Sequence, residues 1–456
     1  MYRYSPRYMA FITFETGIGS VTGANLLLEI GSERVLVDCG MIQGDHETEK
    51  ANRLPFAYDP KSIQKLFITH AHLDHVGRIG KLVKDGFAGT IYSTPETFAL
   101  AQLVMSDAVK ILNLEAKKEG VLPIYEHVDV EKAWTLWKEI PYHTKTDFSG
   151  YSVYLKDAGH ILGSSIIEFT EGEKKIVFTG DLGNTPTPLL RDTESITGAH
   201  YLIMESVYGD RNHEPKDERD AKFEKIVTDT IARGGTLVIP SFSLERTQVI
   251  LYELNNLAEK GKLNVPVYVD SPLATKVTDI YRESTDLFND RIKAQIKGGD
   301  DVFDFKRLKF TIDHQESSAL DRIPGPKVIL AGSGMSMGGR VRHHEATYLP
   351  DPQNTILLVG YQPLGTLGRT LQNREGTVTI DKQKIKIKAR IESIFGYSSH
   401  KDSNHLVEFV ATGKDTLKKV FPIMGEPKAS MFLAQRINDE LNLNAEYPEK
   451  AKRYEL

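Results

Sequence analysis

The chain has 456 residues, 57 Lys and Arg against 62 Asp and Glu, a formal net charge of −5 and a single cysteine, Cys39. That length exceeds one ordinary core, so two domains are expected, and one cysteine excludes an intrachain disulfide and fits a reducing, cytoplasmic setting. The acidic balance does not advertise a nucleic-acid binder, although whole-chain charge says nothing about a cleft that holds metal cations.

Residues 1–7 lead into only a short apolar stretch and lack the h-region of a signal peptide, and no apolar run reads as long enough to span a bilayer, so no membrane partner is expected. Residues 9–14, 25–30 and 34–37 read as short strands, a meander at the edge of a sheet. Gly17, Gly19 and Gly23 lack the spacing of a dinucleotide fingerprint and read as turn residues. Asp38 ends the third strand just before Cys39 and Gly40. Its carboxylate either opens a turn or orients a ligating histidine from the same rim.

The apolar run 66–68 reads as a buried strand, and the chain then supplies Thr69, His70, Ala71, His72, Leu73, Asp74 and His75 before a helical segment at Val76 and Gly77. In extended chain His70 and His72 point to one side, and a turn lets Asp74 and His75 reach a second point close by. Residues 95–120 have helical spacing, with their methionines in the core. The strands 151–155 and 175–178 then lead to His160 and Asp181, each flanked by glycine, which lets backbone pass close to a metal.

Together these residues form an inventory for two adjacent ions: His70, His72 and His160 on one, Asp74 and His75 on the other, and Asp181 between them. Imidazole and carboxylate without thiolate favour zinc, with manganese as an alternative, in a catalytic site open to water rather than a structural one. Two such ions can make a bridging water nucleophilic at neutral pH and hold phosphoryl oxygens, which points to phosphodiester hydrolysis.

The order Asp38, then His70, His72, Asp74 and His75, then His160, then Asp181 resembles the metallo-β-lactamase superfamily. The resemblance implies an α/β fold, a four-layer αβ/βα sandwich with a dinuclear site at one edge. Glu205 to Arg211 and Phe395 to Asp402 further resemble the β-CASP branch, a group of RNA-processing nucleases. So do the stretches at 236–248, 269–274, 333–335 and 360–369, which resemble its inserted parallel α/β domain. The expected division is 1–210 for the first part of the metallo-β-lactamase domain, 211–380 for the insertion and 381–456 for the return.

On this resemblance His400 donates a proton to the leaving oxygen and Glu205 holds its imidazole. Ser398, Ser399 and Ser333 bind phosphate oxygens, and Arg246 and Arg369 contact phosphates farther along the substrate. Family members usually place a further histidine where this chain has Met424. A thioether is a poor ligand for such ions, so the second zinc is expected to bind more weakly.

Residues 236–239, 267–269, 328–330 and 355–359 alternate with helical runs, independently indicating a parallel α/β domain. Residues 384–391 follow a strict period of two, with Lys and Arg on one face. That face is either solvated or a basic wall. Helical patterns at 403–411 and 430–441 close the first domain, which the insertion interrupts.

The leading expectation is a metal-dependent ribonuclease acting on single-stranded RNA, internal cutting being favoured over 5′-exonuclease action, with a homodimer compatible. A regulatory RNA-binding protein with a weakened metal site, or a hydrolase of DNA or a small ester, are the alternatives.

Overall fold

The computed structural model describes residues 9–44 and 50–456, and the N-terminal stretch read for a leader lies outside them. Two units account for the chain: Met1–Thr187, Arg191–Asn212 and His400–Leu456 form one, and Pro188–Leu190 with His213–Ser399 form the other.

In the first unit two sheets are seen among the described residues. One has the order β21 (Arg453–Glu455), β1 (Phe11–Thr16), β2 (Asn25–Ile30), β3 (Glu33–Val37), β4 (Lys65–Phe67), β5 (Thr90–Ser93) and β6 (Trp137–Glu139). The other runs β20 (Lys419–Ile423), β11 (Tyr201–Glu205), β10 (Lys174–Phe178), β9 (Ser165–Glu171), β8 (Ser152–Asp157) and β7 (Thr146–Asp147). The expected meander is present as β1 to β3, but β21 pairs with β1, so β1 is not an edge strand.

Side chains from both sheets share one core, to which Phe14, Val37, Phe67, Phe169, Phe178 and Phe421 belong. Each such fully buried side chain contributes about 2–3 kcal/mol. The pleat sends alternate residues to opposite faces. Ile176 and Phe178 of β10 enter the inter-sheet core, while Val177 enters a second core with Leu406, Val410 and Leu433 from the helices Ser403–Ala411 and Pro427–Leu441. On the first sheet, helix Pro95–Glu119 stacks Phe98 on Trp137 of β6, with ring centroids 5.1 Å apart.

That helix corrects one sequence expectation: by length and composition it could cross a bilayer, where the sequence reading found no such run. Its Leu100, Ala101, Val104, Met105, Ala108 and Val109 form a face buried in the unit.

The second unit is built on a parallel sheet ordered β14 (Leu308–Phe310), β13 (Val267–Asp270), β15 (Lys327–Ala331), β12 (Thr236–Pro240), β16 (Thr355–Val359) and β19 (Arg390–Ile394). β12, β15 and β16 are buried along their whole length, the continuous apolar run of a parallel strand covered on both faces. A hairpin of β17 (Thr377–Ile380) and β18 (Gln383–Lys386) adjoins it.

The period-two segment 384–391 is therefore divided between β18 and β19. β19 pairs in parallel with β16, which places residues 381–399 in the second unit, whereas the sequence reading returned the chain to the first domain at 381. The strand alternation was visible in the sequence; its partner was not.

Candidate metal centre and active site

Five strands of the first unit end near the predicted residues. Asp38 follows β3, His70 follows β4, His160 follows β8, Asp181 follows β10, and Glu205 is the last residue of β11. β3 runs parallel to β4, and β10 to β11, so their carboxyl ends open on a common rim, where α/β sheets usually carry their sites. His72 caps the four-residue helix Leu73–Val76, which holds Asp74 and His75. The backbones crowd together here: a Cβ on Gly40 would lie 1.5 Å from the Asp74 carbonyl oxygen, and one on Gly183 would lie 1.9 Å from that of Gly159.

His70, His72, His160 and Asp181 form one nest. His70 Nε2 and His160 Nε2 lie 3.1 and 3.2 Å from His72 Nδ1, and 3.4 and 3.5 Å from Asp181 Oδ2. A tetrahedron with metal–ligand bonds of zinc length has edges of about 3.3 Å, so these four atoms already have the spacing of one coordination shell. Beside it, His75 Nε2 and Asp181 Oδ1 are buried without a hydrogen-bond partner. They lie 3.5 Å apart, with Asp74 Oδ2 4.0 Å from His75 Nε2. Orphaned buried donors and acceptors are costly, and a bound cation at this point would satisfy both. The two groups proposed from the sequence are thus brought together, with Asp181 offering one oxygen to each.

Asp38 organises the nest from behind. Its Oδ1 accepts from Thr69 N at 2.8 Å, and its Oδ2 accepts from Thr69 Oγ1 at 2.8 Å and from His75 Nδ1 at 2.7 Å. Because the Thr69 hydroxyl proton goes to Asp38, its lone pair can accept from His70 Nδ1, 3.0 Å away. Both imidazoles are thereby held with Nε2 facing the ion site, the tautomer that ligation requires. The sequence reading named Asp38 and missed Thr69, whose only signal was a hydroxyl residue directly before the first histidine.

Burial, reinforced by neighbouring imidazoles, holds His72 and His160 well below the ordinary histidine value, so both are neutral lone-pair donors. Asp181 is held well below the carboxylate range: its burial acts the other way, but His75 and His70 outweigh it. Burial raises Asp74 to about 6.

His400 lies beside this nest, its ring centroid 4.7 Å from that of His160. Its Nδ1 donates to Glu205 Oε1 at 3.0 Å and Oε2 at 3.1 Å, and Leu182 N donates to Glu205 Oε1 at 2.6 Å. Burial alone would lower the His400 pKa, but the Glu205 carboxylate outweighs it and raises the value to about 9. The imidazolium is therefore protonated at neutral pH and presents Nε2–H as its other donor.

Met424, expected to be a poor ligand, turns its side chain into the core. It follows β20 with φ of 50°, its amide donates to Gly17 O at 2.8 Å, and its side chain belongs to the inter-sheet core. Gly17 takes φ of 83° there, and a Cβ on it would lie 2.8 Å from the Met424 sulfur.

The five expected phosphate-contacting residues all fall in the second unit. Arg246 Nη2 is 3.5 Å from Ser399 Oγ, and Ser398 N donates to Phe395 O. Arg369 donates through Nε to Gln362 O at 2.6 Å and lies over the Tyr361 ring. Ser333 Oγ accepts from Met337 N and Gly338 N. The loops that carry Ser333 and Arg369 are joined by Gln362 Nε2 donating to Gly334 O and Gly368 N donating to Met335 O.

Sheet ends bearing a His3Asp nest, a second orphaned His and Asp pair, and a carboxylate-held imidazolium define a metallo-hydrolase, and the fold implies that it binds divalent metal. Three family descriptions match in order: Metallo-beta-lactamase superfamily over residues 21–215, Beta-Casp domain over 247–371, and Zn-dependent metallo-hydrolase RNA specificity domain over 384–448. Ribonuclease TTHA0252 of Thermus thermophilus is 36% identical over 391 residues, covering 86% of this chain and 88% of its own. Transcription termination factor FttA of Methanosarcina mazei is 32% identical over 453 residues, 95% of this chain and 69% of that protein. Cleavage and polyadenylation specificity factor 73 of Drosophila melanogaster is 30% identical over 410 residues, 88% of this chain and 58% of that one. A crystal structure of a protein of unknown function from Enterococcus faecalis V583 is similar in fold, with a TM-score of 0.57 at 15% identity over 98% of this chain and 100% of that one. The chain belongs to the β-CASP branch of the metallo-β-lactamase superfamily.

Proposed function

We propose that this chain is a metal-dependent ribonuclease that hydrolyses phosphodiester bonds of single-stranded RNA, using two divalent ions, zinc in the first instance with manganese as the alternative. The observation that carries the reading is the Glu205–His400 pair at the edge of the nest: a protonated imidazole beside two ion sites is the arrangement a phosphoryl transfer needs. When bound, the ions supply positive charge that activates water and offsets the charge growing on phosphoryl oxygens. His70, His72, His160 and Asp181 would hold one, and Asp74, His75 and Asp181 the other. Asp38 and Thr69 keep the imidazoles in register. His400 Nε2–H hands its proton to the departing ribose oxygen, and Glu205 stabilises the imidazolium until then. Ser398, Ser399, Ser333, Arg246 and Arg369 would contact the phosphates of the substrate.

The non-catalytic reading rested on the lack of a histidine at Met424, which the core position of this side chain leaves as it was; the orphaned His75 and Asp181 atoms of the second ion site weigh against that reading. The relative named a ribonuclease, similar over most of both chains, also supports hydrolysis. We read the mode as internal cutting, in a cytoplasmic setting.

The test combines elemental analysis of the purified protein with digestion of linear and circular single-stranded RNA in zinc or manganese. Close to two ions per chain and cutting of both substrates is expected, with cutting lost in His400→Ala. Cutting of linear RNA alone would sink the internal mode. No cutting with any metal would sink the nuclease reading.

A further inference from the structure

The basic row noted in the sequence has no part in the site above. Lys384, Lys386, Lys388 and Arg390 are exposed, while Ile385, Ala389 and Ile391 between them are buried in the core of the second unit. Among the described residues none of the four side chains has an ion-pair or hydrogen-bond partner. Other surface cations nearby are neutralised, such as Lys225 by Asp229 at 2.7 Å and Lys222 by Glu214 at 3.3 Å. In a chain of net charge −5 an unpartnered row of four cations is a local excess that solubility does not require.

At one end the row enters a cavity of about 160 Å³ between helix Lys216–Ala232 and β19. Arg390 meets Arg233 there, with Lys222 and Lys225 on the rim and Asp229 and Glu392 as the acids. Arg233 is fixed in place: its Nη2 donates to Thr355 Oγ1 at 2.9 Å and its Nε to Gln353 O at 3.4 Å. Burial and then the charge of Arg390 lower the Arg233 pKa, against the opposing charges of Asp229 and Glu392.

We propose that Lys384, Lys386, Lys388 and Arg390, with Arg233 at the end of the row, form a track for the sugar-phosphate backbone of single-stranded RNA that does not read its bases. Lys384 and Lys386 lie on one face of β18, about 6.7 Å apart, and Lys388 and Arg390 carry the charge past the end of that strand to the start of β19. Lysines act as mobile point charges along the row, and the fixed guanidinium of Arg233 can hold a phosphate through two N–H groups at its end. Thr377 and Thr379 stand opposite Lys386 and Lys384 in the hairpin, and both are exposed. These hydroxyl side chains provide no stacking platform, so the track is indifferent to base identity.

The inference rests on the ribonuclease reading for its substrate, and the test separates the two. Binding of oligouridylate and oligoadenylate of equal length is measured against salt in the His400→Ala, zinc-loaded protein, with and without Lys384→Gln, Lys386→Gln and Lys388→Gln together. The slope of log affinity against log salt should become shallower by about 2, at roughly 0.7 for each phosphate that the protein no longer neutralises, equally for both oligonucleotides. The matching triple Lys→Arg variant should keep the original slope, which rules out a fold defect. In the protein with His400 intact, the triple Gln variant should raise KM for the long RNA several-fold with kcat within twofold. An unchanged slope, or a weakening confined to one base, overturns the track and leaves the nuclease reading standing. Absence of turnover in the unaltered enzyme together with the shallower slope overturns the nuclease reading and supports the track.

Discussion

Each unit buries a carboxylate against histidine, and the two clusters differ in how that carboxylate is satisfied. In the second unit Asp270 is fully buried and both of its oxygens are filled: Oδ1 accepts from Thr311 Oγ1 and, at 2.6 Å, from Arg340 Nη1, and Oδ2 accepts from Ser317 Oγ and His344 Nε2, both at 2.6 Å. Against its burial, these donors hold Asp270 well below the carboxylate range. In the first unit Asp181 has no such set of donors, and its Oδ1 and the facing His75 Nε2 have no partner at all. Both carboxylates meet imidazole, but hydroxyl and guanidinium donors complete the set at Asp270, while Asp181 faces His70, His75 and His160. A closed network stabilises a fold, whereas converging unpaired lone pairs leave a site for an ion.

The contrast is broken most severely at Asp181. Asp181→Asn should cut RNA cleavage by about a thousandfold or more, since ion charge contributes several kcal/mol to such a barrier, and should lower metal content by elemental analysis. His400→Gln should cost about 10²- to 10⁴-fold in kcat with metal content unchanged. Because the His400 pKa is raised to about 9, the required proton is present through neutral pH and lost as pH rises through that value. The rate should therefore fall on the alkaline side, and Glu205→Gln, by removing what raises the pKa, should move that fall to lower pH. On the acid side, protonation of Asp74 as pH falls through about 6 should weaken metal binding.

Asp270→Ala should do the reverse of Asp181→Asn. By taking the shared acceptor away from Arg340 and the buried His344, it should cost about 3–5 kcal/mol in denaturant unfolding with metal content unaffected. Thr69→Val should be milder, a drop of about 10- to 100-fold in metal affinity by chelator competition, because His70 loses the acceptor that fixes its tautomer. Met424→Leu should have the smallest effect, under about 1.5 kcal/mol in unfolding with no change in metal content, as befits a core residue. A fall in bound metal there would return Met424 to the second ion site.

The ligand inventory was legible because four of its members sit within six residues after one strand, and the other two follow strands and touch glycine. The parallel character of the inserted unit was legible from its apolar runs. The short strands β6, β7 and β21 were not, since two or three residues carry no period. Nor was the direction of Met424: its side chain turns toward Gly17, more than four hundred residues away, because both lie over the same inter-sheet core.

By itself, then, the sequence determined which donors are present, their order at strand ends and the alternation of basic and apolar residues at 384–391. Tertiary structure alone decided which nitrogen of each histidine faces the ion, that Thr69 links Asp38 to His70, and that β19 pairs with β16. Local patterns specify what each segment can bury or bind, but a hydrogen bond between residues 31 positions apart, or a strand pairing, exists only once the chain has brought both partners to the same place.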